Sequence, residues 1–372
     1  MNVLFQTIGV LVQYNWALPY YMTVLEKQNS KIYIKLDTNL FSYLMGGFHY
    51  HLKQPNKLIP FFLGSGIFSG LDKILTKIKV SYKLANFDII HLNKPHDELT
   101  NVALKAKIPK VFTFHGSLDP DHINNIDHAC KTLKEIADKA TFVAVSQHSS
   151  NTSAGYCGIR AHVIHNGVDT EIFNPSLPKI RARKRLHLPL DKNIILWSGR
   201  VEPDKKLHAL LVAIPKIIKE RKDIMFIVKG RTINKNYLTL LKNFIKRKKL
   251  ERFIKFDLSW TPNIFMLLYY RASDLYVHTS ISEGFSLTLL EAMSSGIPVI
   301  GRNASSIPEA IGEKTLLFND EDELAEKILK LLSDKDVSEK IGIKLFRRVI
   351  ERGFTSIEQA KKYLDLYRKI MG

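Results

Sequence analysis

Cysteine is nearly absent: the 372-residue chain has only Cys130 and Cys157. Their separation matches no metal-ligand spacing, so a zinc site or a disulfide-rich scaffold has no support. Two lone cysteines are expected as buried thiols in a reducing compartment. Long apolar runs are missing too. None approaches the roughly 20 residues of a membrane-spanning helix. The opening residues, Met1 to Thr7, read as a strand rather than the charged start of a secretion signal. No low-complexity tract or short-period repeat is visible. Acidic residues are scarce, 36 against 55 Lys and Arg, giving a net charge of +19. Otherwise the chain has a globular composition, 45% hydrophobic and 24% charged, and its length suits two domains.

Apolar runs alternate with amphipathic stretches throughout. In the first half, strands are expected at Val3–Gln6, Lys31–Leu36, Leu58–Leu63, Phe87–Leu92, Val111–Phe114, Thr141–Val145 and His162–His165. Helical patterns lie between several of them, at Leu71–Leu84, Asp97–Lys105, Ile123–Asp138 and Gln147–Tyr156. A polar, turn-rich segment from Phe173 onward interrupts the pattern, which restarts at Ile194. Helices are then expected at Leu207–Arg221, Tyr237–Lys249 and Ile264–Ala272. Strands are expected at Ile224–Val228, Phe253–Phe256, Leu275–Val277, Val299–Ile300 and Leu316–Phe318. The fold class is α/β, with two Rossmann-like, doubly wound domains facing a central cleft. The expected boundaries are 1–172, a linker at 173–192, a second domain at 193–353 and a C-terminal helix at 354–372.

One stretch carries the most chemistry, Ser280 to Ile300, reading SISEGFSLTLLEAMSSGIPVI. Glu283-Gly284 follows an apolar strand, and a helix is expected over 285–295, ending at Gly296. The N–H groups of Phe285, Ser286 and Leu287 would open the helix N-terminus, where an anion is favoured. Glu283 and Glu291 flank that end and would repel an anion. They suit hydroxyl groups, which carboxylates accept from strongly. A phosphate between two polyols, a nucleotide sugar, fits this layout. Alone, either Glu reads more readily as a solvated loop or helix residue; the whole stretch together favours the ligand site.

The stretch resembles the donor-site signature of retaining glycosyltransferases of family 4: two glutamates with seven residues between them, then a Gly-x-Pro-Val pattern. Glu283, Gly284, Phe285, Glu291, Ala292, Gly296, Pro298 and Val299 stand in register. The resemblance implies the GT-B fold, Glu283 on the donor sugar and Glu291 on the ribose. It also implies front-face attack with no metal or other cofactor and a UDP- or GDP-linked donor.

A second site is Trp197-Ser-Gly-Arg-Val-Glu-Pro-Asp-Lys-Lys206. Gly199 ends a strand and leaves room for a ligand. Arg200 and Lys205 would neutralise a diphosphate as charge develops on it. The stretch resembles the family's phosphate clamp but has Lys206 where Gly commonly stands, which stiffens the loop. His115, at the end of Thr113-Phe-His-Gly116, holds the place where similar enzymes turn a His or its backbone toward the sugar. Asn166-Gly167 reads as an architectural turn, and Ser146 as a helix N-cap. Phe354 through Tyr363, Tyr367 and Ile370 resembles the family's last helix, which crosses back to the first domain. The N-terminus departs from the family. Residues 7–16 carry Gly9 but no Gly-Gly loop, and Gly46-Gly47 comes too late to replace it. Gly9 is the remaining candidate for a first-domain phosphate contact.

Positive charge is concentrated between Lys179 and Lys255, with 23 Lys or Arg against 6 Asp or Glu. Three readings are open. They are an anionic membrane surface carrying a lipid-linked acceptor, a solvated surface, and, with least weight, nucleic acid, for which no recognition motif appears. The expected activity is transfer of a hexose from a nucleotide sugar to a glycan or lipid-linked acceptor. The expected location is the cytoplasm or the inner face of the membrane. The rivals are an epimerase or hydrolase on the same fold, and a silent, basic polyanion-binding protein.

Overall fold

Short runs of Ile, Val, Phe and Leu form buried parallel strands, as continuous apolar runs do when helices cover both sheet faces. The computed structural model describes residues 2–6, 31–35, 87–95, 98–118, 123, 125–232 and 234–372, with backbone alone at 2–6, 31–35 and 98–99. The expected strand at 58–63, the helix at 71–84, Gly9 and Gly46-Gly47 lie outside these residues.

The first sheet holds β1 (Asn2–Gln6), β2 (Lys31–Lys35), β3 (Ile89–Leu92), β4 (Lys110–Phe114), β5 (Thr141–Ala144) and β6 (His162–Val163). Their order is β2-β1-β3-β4-β5-β6, all parallel. Helices α1 (Glu98–Ala103), α2 (Ile126–Ala137) and α3 (Gln147–Cys157) connect them. The second sheet holds β7 (Asn193–Arg200), β8 (Ile224–Arg231), β9 (Ile254–Asp257), β10 (Leu275–His278), β11 (Val299–Arg302) and β12 (Leu317–Phe318). Its order is β12-β11-β10-β7-β8-β9, again all parallel. These are two Rossmann-like domains. The order of the second sheet reverses where β10 pairs with β7, and ligands bind at such a switch point, outside the strands' carboxyl ends. The loops after β7 and β10, with Lys205 and Glu283, flank it.

The second domain's helices are α4 (Lys179–Arg185), α5 (Leu207–Glu220), α6 (Lys235–Arg247), α7 (Asn263–Ala272), α8 (Leu287–Ser294), α9 (Ile307–Ile311), α10 (Glu321–Ser333) and α11 (Lys335–Glu351). Helix α4 falls inside the stretch read as a linker. Its buried Arg183 donates to the Ala272 carbonyl and, at 2.5 Å, to Asp274. Asp274 also accepts the Ile194 N–H. This buried ion pair folds the segment onto the second domain, which no apolar pattern foretold.

Helix α12 (Ser356–Met371) packs on the first sheet. Ala360, Tyr363, Leu364 and Tyr367 form one helical stripe against Ile89, Val111, Val143 and Ile164. Beneath it Tyr363 bonds Thr113 at 2.8 Å, His91 Nε2 bonds Thr113 at 2.7 Å, and His91 Nδ1 meets the Tyr367 hydroxyl. Burial holds His91 neutral, well below its ordinary pKa. The chain returns through a single bridge between Val168 and Thr355. Gly167 is needed there for closeness: a Cβ would lie 2.3 Å from the Thr355 carbonyl.

The cysteines correct an expectation. Cys130 on α2 and Cys157 at the end of α3 are disulfide-bonded, with Cα atoms 5.0 Å apart. They are not thiols, and they give no ground for a reducing compartment. Packing of α2 against α3 brings them together across 27 residues.

Candidate active site

The loop after β10 runs from Thr279 to Ser286, and α8 begins at Leu287. The helix starts two residues later than its sequence pattern implies. Ser286 takes an extended backbone and its hydroxyl accepts the Leu289 N–H, making it the N-cap. The open N–H groups thus belong to Ser286, Leu287 and Thr288, while Phe285 lies outside the helix. Its ring is buried against His165 and Phe354, with centroids 4.9 and 5.0 Å away. Its carbonyl accepts from Asn166 at 2.9 Å. Phe285 is therefore a packing residue at the domain boundary. Gly284 is the point of closest approach, since a Cβ there would stand 2.0 Å from the His115 carbonyl oxygen.

Glu283 reaches Lys205 Nζ at 2.9 Å, and His278 Nε2 lies 3.4 Å from the same oxygen. Burial alone would raise the Glu283 pKa. The Lys205 ammonium and His278 override it and hold the carboxyl well below the usual carboxylate range. For Lys205, burial works downward, but Glu283 and Asp204 leave its pKa raised. Arg200, at the end of β7, is half-exposed and bonds Glu202 at 2.6 Å, with Asp204 at 3.8 Å. Both clamp cations therefore have carboxylate partners. The two loops are stitched together: Trp197 Nε1 donates to Thr279, whose hydroxyl donates to the Lys205 carbonyl at 2.6 Å. Lys206 adopts the left-handed backbone, φ 49°. The loop keeps a glycine-like geometry despite its side chain.

Glu291 lies one turn into α8 and is 1% exposed. Burial pushes its carboxyl up to about 8, against the partial offset of bonds from Tyr270 and Asn263. The Tyr270 hydroxyl donates to it at 2.8 Å. From Tyr270 a buried polar chain runs through Ser198 (3.2 Å) and Tyr276 (3.3 Å) to His278 Nδ1 (3.2 Å). It ends beside Glu283, so the two glutamates face opposite ends of one network.

His115 bonds Asn93 Oδ1 through Nε2 at 2.8 Å. Burial lowers its pKa to about 4, so the ring is neutral at pH 7. Gly199 lies on β7 beside Gly230, where a Cβ would stand 1.8 Å from the Gly199 oxygen. The structure thus gathers Lys205, Glu283, Gly284 and His115 in one place. Glu291 lies behind them, and the Arg200 guanidinium is turned to its own loop's acids. Sequence reading missed Asn93, Ser117, His278, Ser305 and Glu309. The last two follow β11, and their place beyond a strand's carboxyl end is the signal that could have found them.

Two Rossmann-like domains that bring a lysine, a carboxylate and a helix N-terminus together where their loops meet have the architecture of a GT-B glycosyltransferase. The family models agree. Residues 178–347 match Glycosyl transferases group 1, and residues 51–172 match Glycosyltransferase Family 4. The chain belongs to the family 4, group 1 glycosyltransferases. It is 28% identical to spore coat protein SA of Bacillus subtilis over 327 residues, 80% of this chain and 82% of that protein. It is 27% identical over 322 residues to UDP-Gal:alpha-D-GlcNAc-diphosphoundecaprenol alpha-1,3-galactosyltransferase of Escherichia coli, 79% of each chain. Among solved structures it is similar to Anabaena Alr3699/HepE in complex with UDP and glucose. The TM-score is 0.80 at 21% identity, covering 99% of this chain and 100% of that one.

Proposed function

We propose that the enzyme moves a hexose from a UDP- or GDP-linked donor to a glycan or lipid-linked acceptor, with retention and without a metal. The observation that carries this is the Glu283–Lys205 pair, next to Gly284, which packs against the His115 backbone at the domain boundary. It sets a cation for the leaving diphosphate beside a carboxylate for the sugar. On donor binding, the diphosphate takes over Lys205 and Arg200 from their carboxylate partners. The C1–oxygen bond to phosphate breaks with its electron pair going to the diphosphate, where Lys205, Arg200 and the N–H groups near Ser286 and Leu287 stabilise the charge. The acceptor oxygen bonds C1 from the same face, and its proton passes to the leaving phosphate. Glu283 holds the hexose through its hydroxyls. Glu291 holds the ribose. Neutral His115 offers a hydrogen-bonding edge rather than a charge. A lipid-linked acceptor is supported by the acceptor named for the E. coli relative and by the basic 179–255 stretch. The test is a thermal-shift screen of UDP-, GDP- and ADP-sugars, followed by transfer with and without EDTA. An NMR coupling constant then reads the anomer formed. An inverted product, or activity that EDTA abolishes and magnesium restores, overturns the reading.

A further inference from the structure

Ser305 stands in the loop after β11 with φ 52°. This left-handed backbone is disfavoured for an L-residue, whose Cβ crowds the neighbouring carbonyl. Such strain persists where the surroundings over-determine it. The surroundings here are the backbone of Glu283. The Ser305 hydroxyl donates to the Glu283 carbonyl at 2.7 Å and accepts the Glu283 N–H at 3.1 Å. The neighbouring Ser306 hydroxyl donates to the same carbonyl at 3.1 Å. From the first domain, Ser117 brings its hydroxyl to 3.4 Å from Ser305 and 3.2 Å from Ser282. A serine hydroxyl has one proton and two lone pairs. Two are used within the second domain, and the remaining lone pair meets Ser117 across the boundary.

We propose that Ser305 is a positioning residue that fixes Glu283 by its main chain, with Ser117 completing the arrangement when the domains meet. Lys205 holds the far end of the same residue at 2.9 Å, so Glu283 is pinned at backbone and carboxylate. A loop residue held at one end only would sample several orientations, and a misplaced contact at a reacting centre is costly. The inference rests on reading Glu283 as the group beside the donor sugar.

The test compares Ser305→Gly, Ser305→Ala and Ser117→Ala with Glu283→Gln. Glycine relieves the strained backbone while deleting the hydroxyl, so the variant stays folded with an undiminished Tm. Turnover is read as nucleoside diphosphate release from the nucleotide sugar that stabilises the wild type best. The expected result for both Ser305 variants is a kcat roughly 10- to 100-fold lower, with UDP or GDP affinity changed less than twofold. Ser117→Ala costs less, and adds nothing in the Ser305→Ala background. Independently of any donor, hydrogen exchange at the Glu283 amide should quicken at least about tenfold in Ser305→Ala, where that N–H loses its acceptor. Unchanged exchange, or full kcat in Ser305→Gly beside a slow Glu283→Gln, overturns the inference. Full kcat in Glu283→Gln instead overturns the reading beneath it.

Discussion

Glu283 and Glu291 share a side-chain type and differ in state. Glu283 is ionised against Lys205, while Glu291 is a buried acid with a pKa of about 8. Interactions equal in ground and transition states change binding, and those that strengthen in the transition state change turnover. Glu291→Gln is expected to weaken nucleoside diphosphate affinity and raise the donor KM. Glu283→Gln is expected to lower kcat strongly with nucleotide affinity nearly unchanged. One calorimetric titration and one transfer assay per variant decide it, and the reverse pattern would turn the ligand end for end. Glu291 also sets a pH dependence in the enzyme without donor. Its folded pKa is raised from 4.5 to about 8, so the folded state keeps a proton that the unfolded chain releases above about pH 4.5. Stability from this group is therefore full at low pH and falls as pH rises toward 8, each tenfold difference in proton affinity between the two states being worth about 1.4 kcal/mol. Glu291→Gln should raise Tm at pH 9 and leave it nearly unchanged at pH 5. An equal change at both pH values would show that the residue is ionised throughout.

At the scale of elements, the loop between β7 and α5 turns on Lys206. Lacking a neighbouring glycine did not change its path, because the backbone adopts φ 49° all the same. The cost is roughly 1–2 kcal/mol, carried by the bonds from Thr279 to Lys205 and from Trp197 to Thr279. Lys206→Gly relieves the strain but loosens the unfolded chain, so its net effect should stay within about 1 kcal/mol. Lys206→Val puts a β-branched residue in the left-handed region and should destabilise by about 1–2 kcal/mol more. Urea unfolding of the pair checks this; a tolerated valine would mean the loop relaxes out of that conformation. Helix α8 teaches a related lesson. Its apolar face was readable from the spacing of Leu289, Ala292 and Met293, but its start was set by a hydroxyl on Ser286, and pattern alone does not weigh a cap.

At the scale of the molecule, closure has a physical latch. Glu309 of the second domain accepts the N–H groups of Gln147 and His148 at 2.9 and 3.1 Å, the first turn of α3 in the other domain. It also pairs with His165 at 2.6 Å. With Ser146 taking the Ser149 N–H, three open N–H groups of α3 are satisfied, two of them across the boundary. Burial alone would raise the Glu309 carboxyl, but His165 and these N–H groups lower it, so the latch holds at neutral pH and fails as pH falls through that depressed value. Glu309→Ala should enlarge the radius of gyration in solution scattering and raise the donor KM several-fold. An unchanged scattering profile would mean the domains stay closed without it. Among the described residues no helix is long and apolar enough to cross a membrane. If the basic 179–255 stretch meets anionic lipid, sedimentation with phosphatidylglycerol vesicles should fall steeply between roughly 50 and 500 mM salt, where the Debye length shrinks from about 14 to about 4 Å. Equal recovery on neutral vesicles would leave that stretch a solvated surface.

The sequence by itself determined what is written in local pattern. Alternating apolar runs specified the parallel sheets, and the spaced glutamates with Gly284 and Pro298 marked the loop of the proposed site. The resemblance of Phe354 through Tyr363, Tyr367 and Ile370 to the family's last helix marked the C-terminal helix. Tertiary structure alone decided what depends on distance between remote segments. It joined Cys130 to Cys157, folded α4 onto Asp274, gave one glutamate a lysine and the other a buried tyrosine, and brought Ser117 and Ser305 together on the backbone of Glu283. A carboxylate's charge is set by burial and by partners that are far away in the chain. Residue type and spacing carry neither until the domains close.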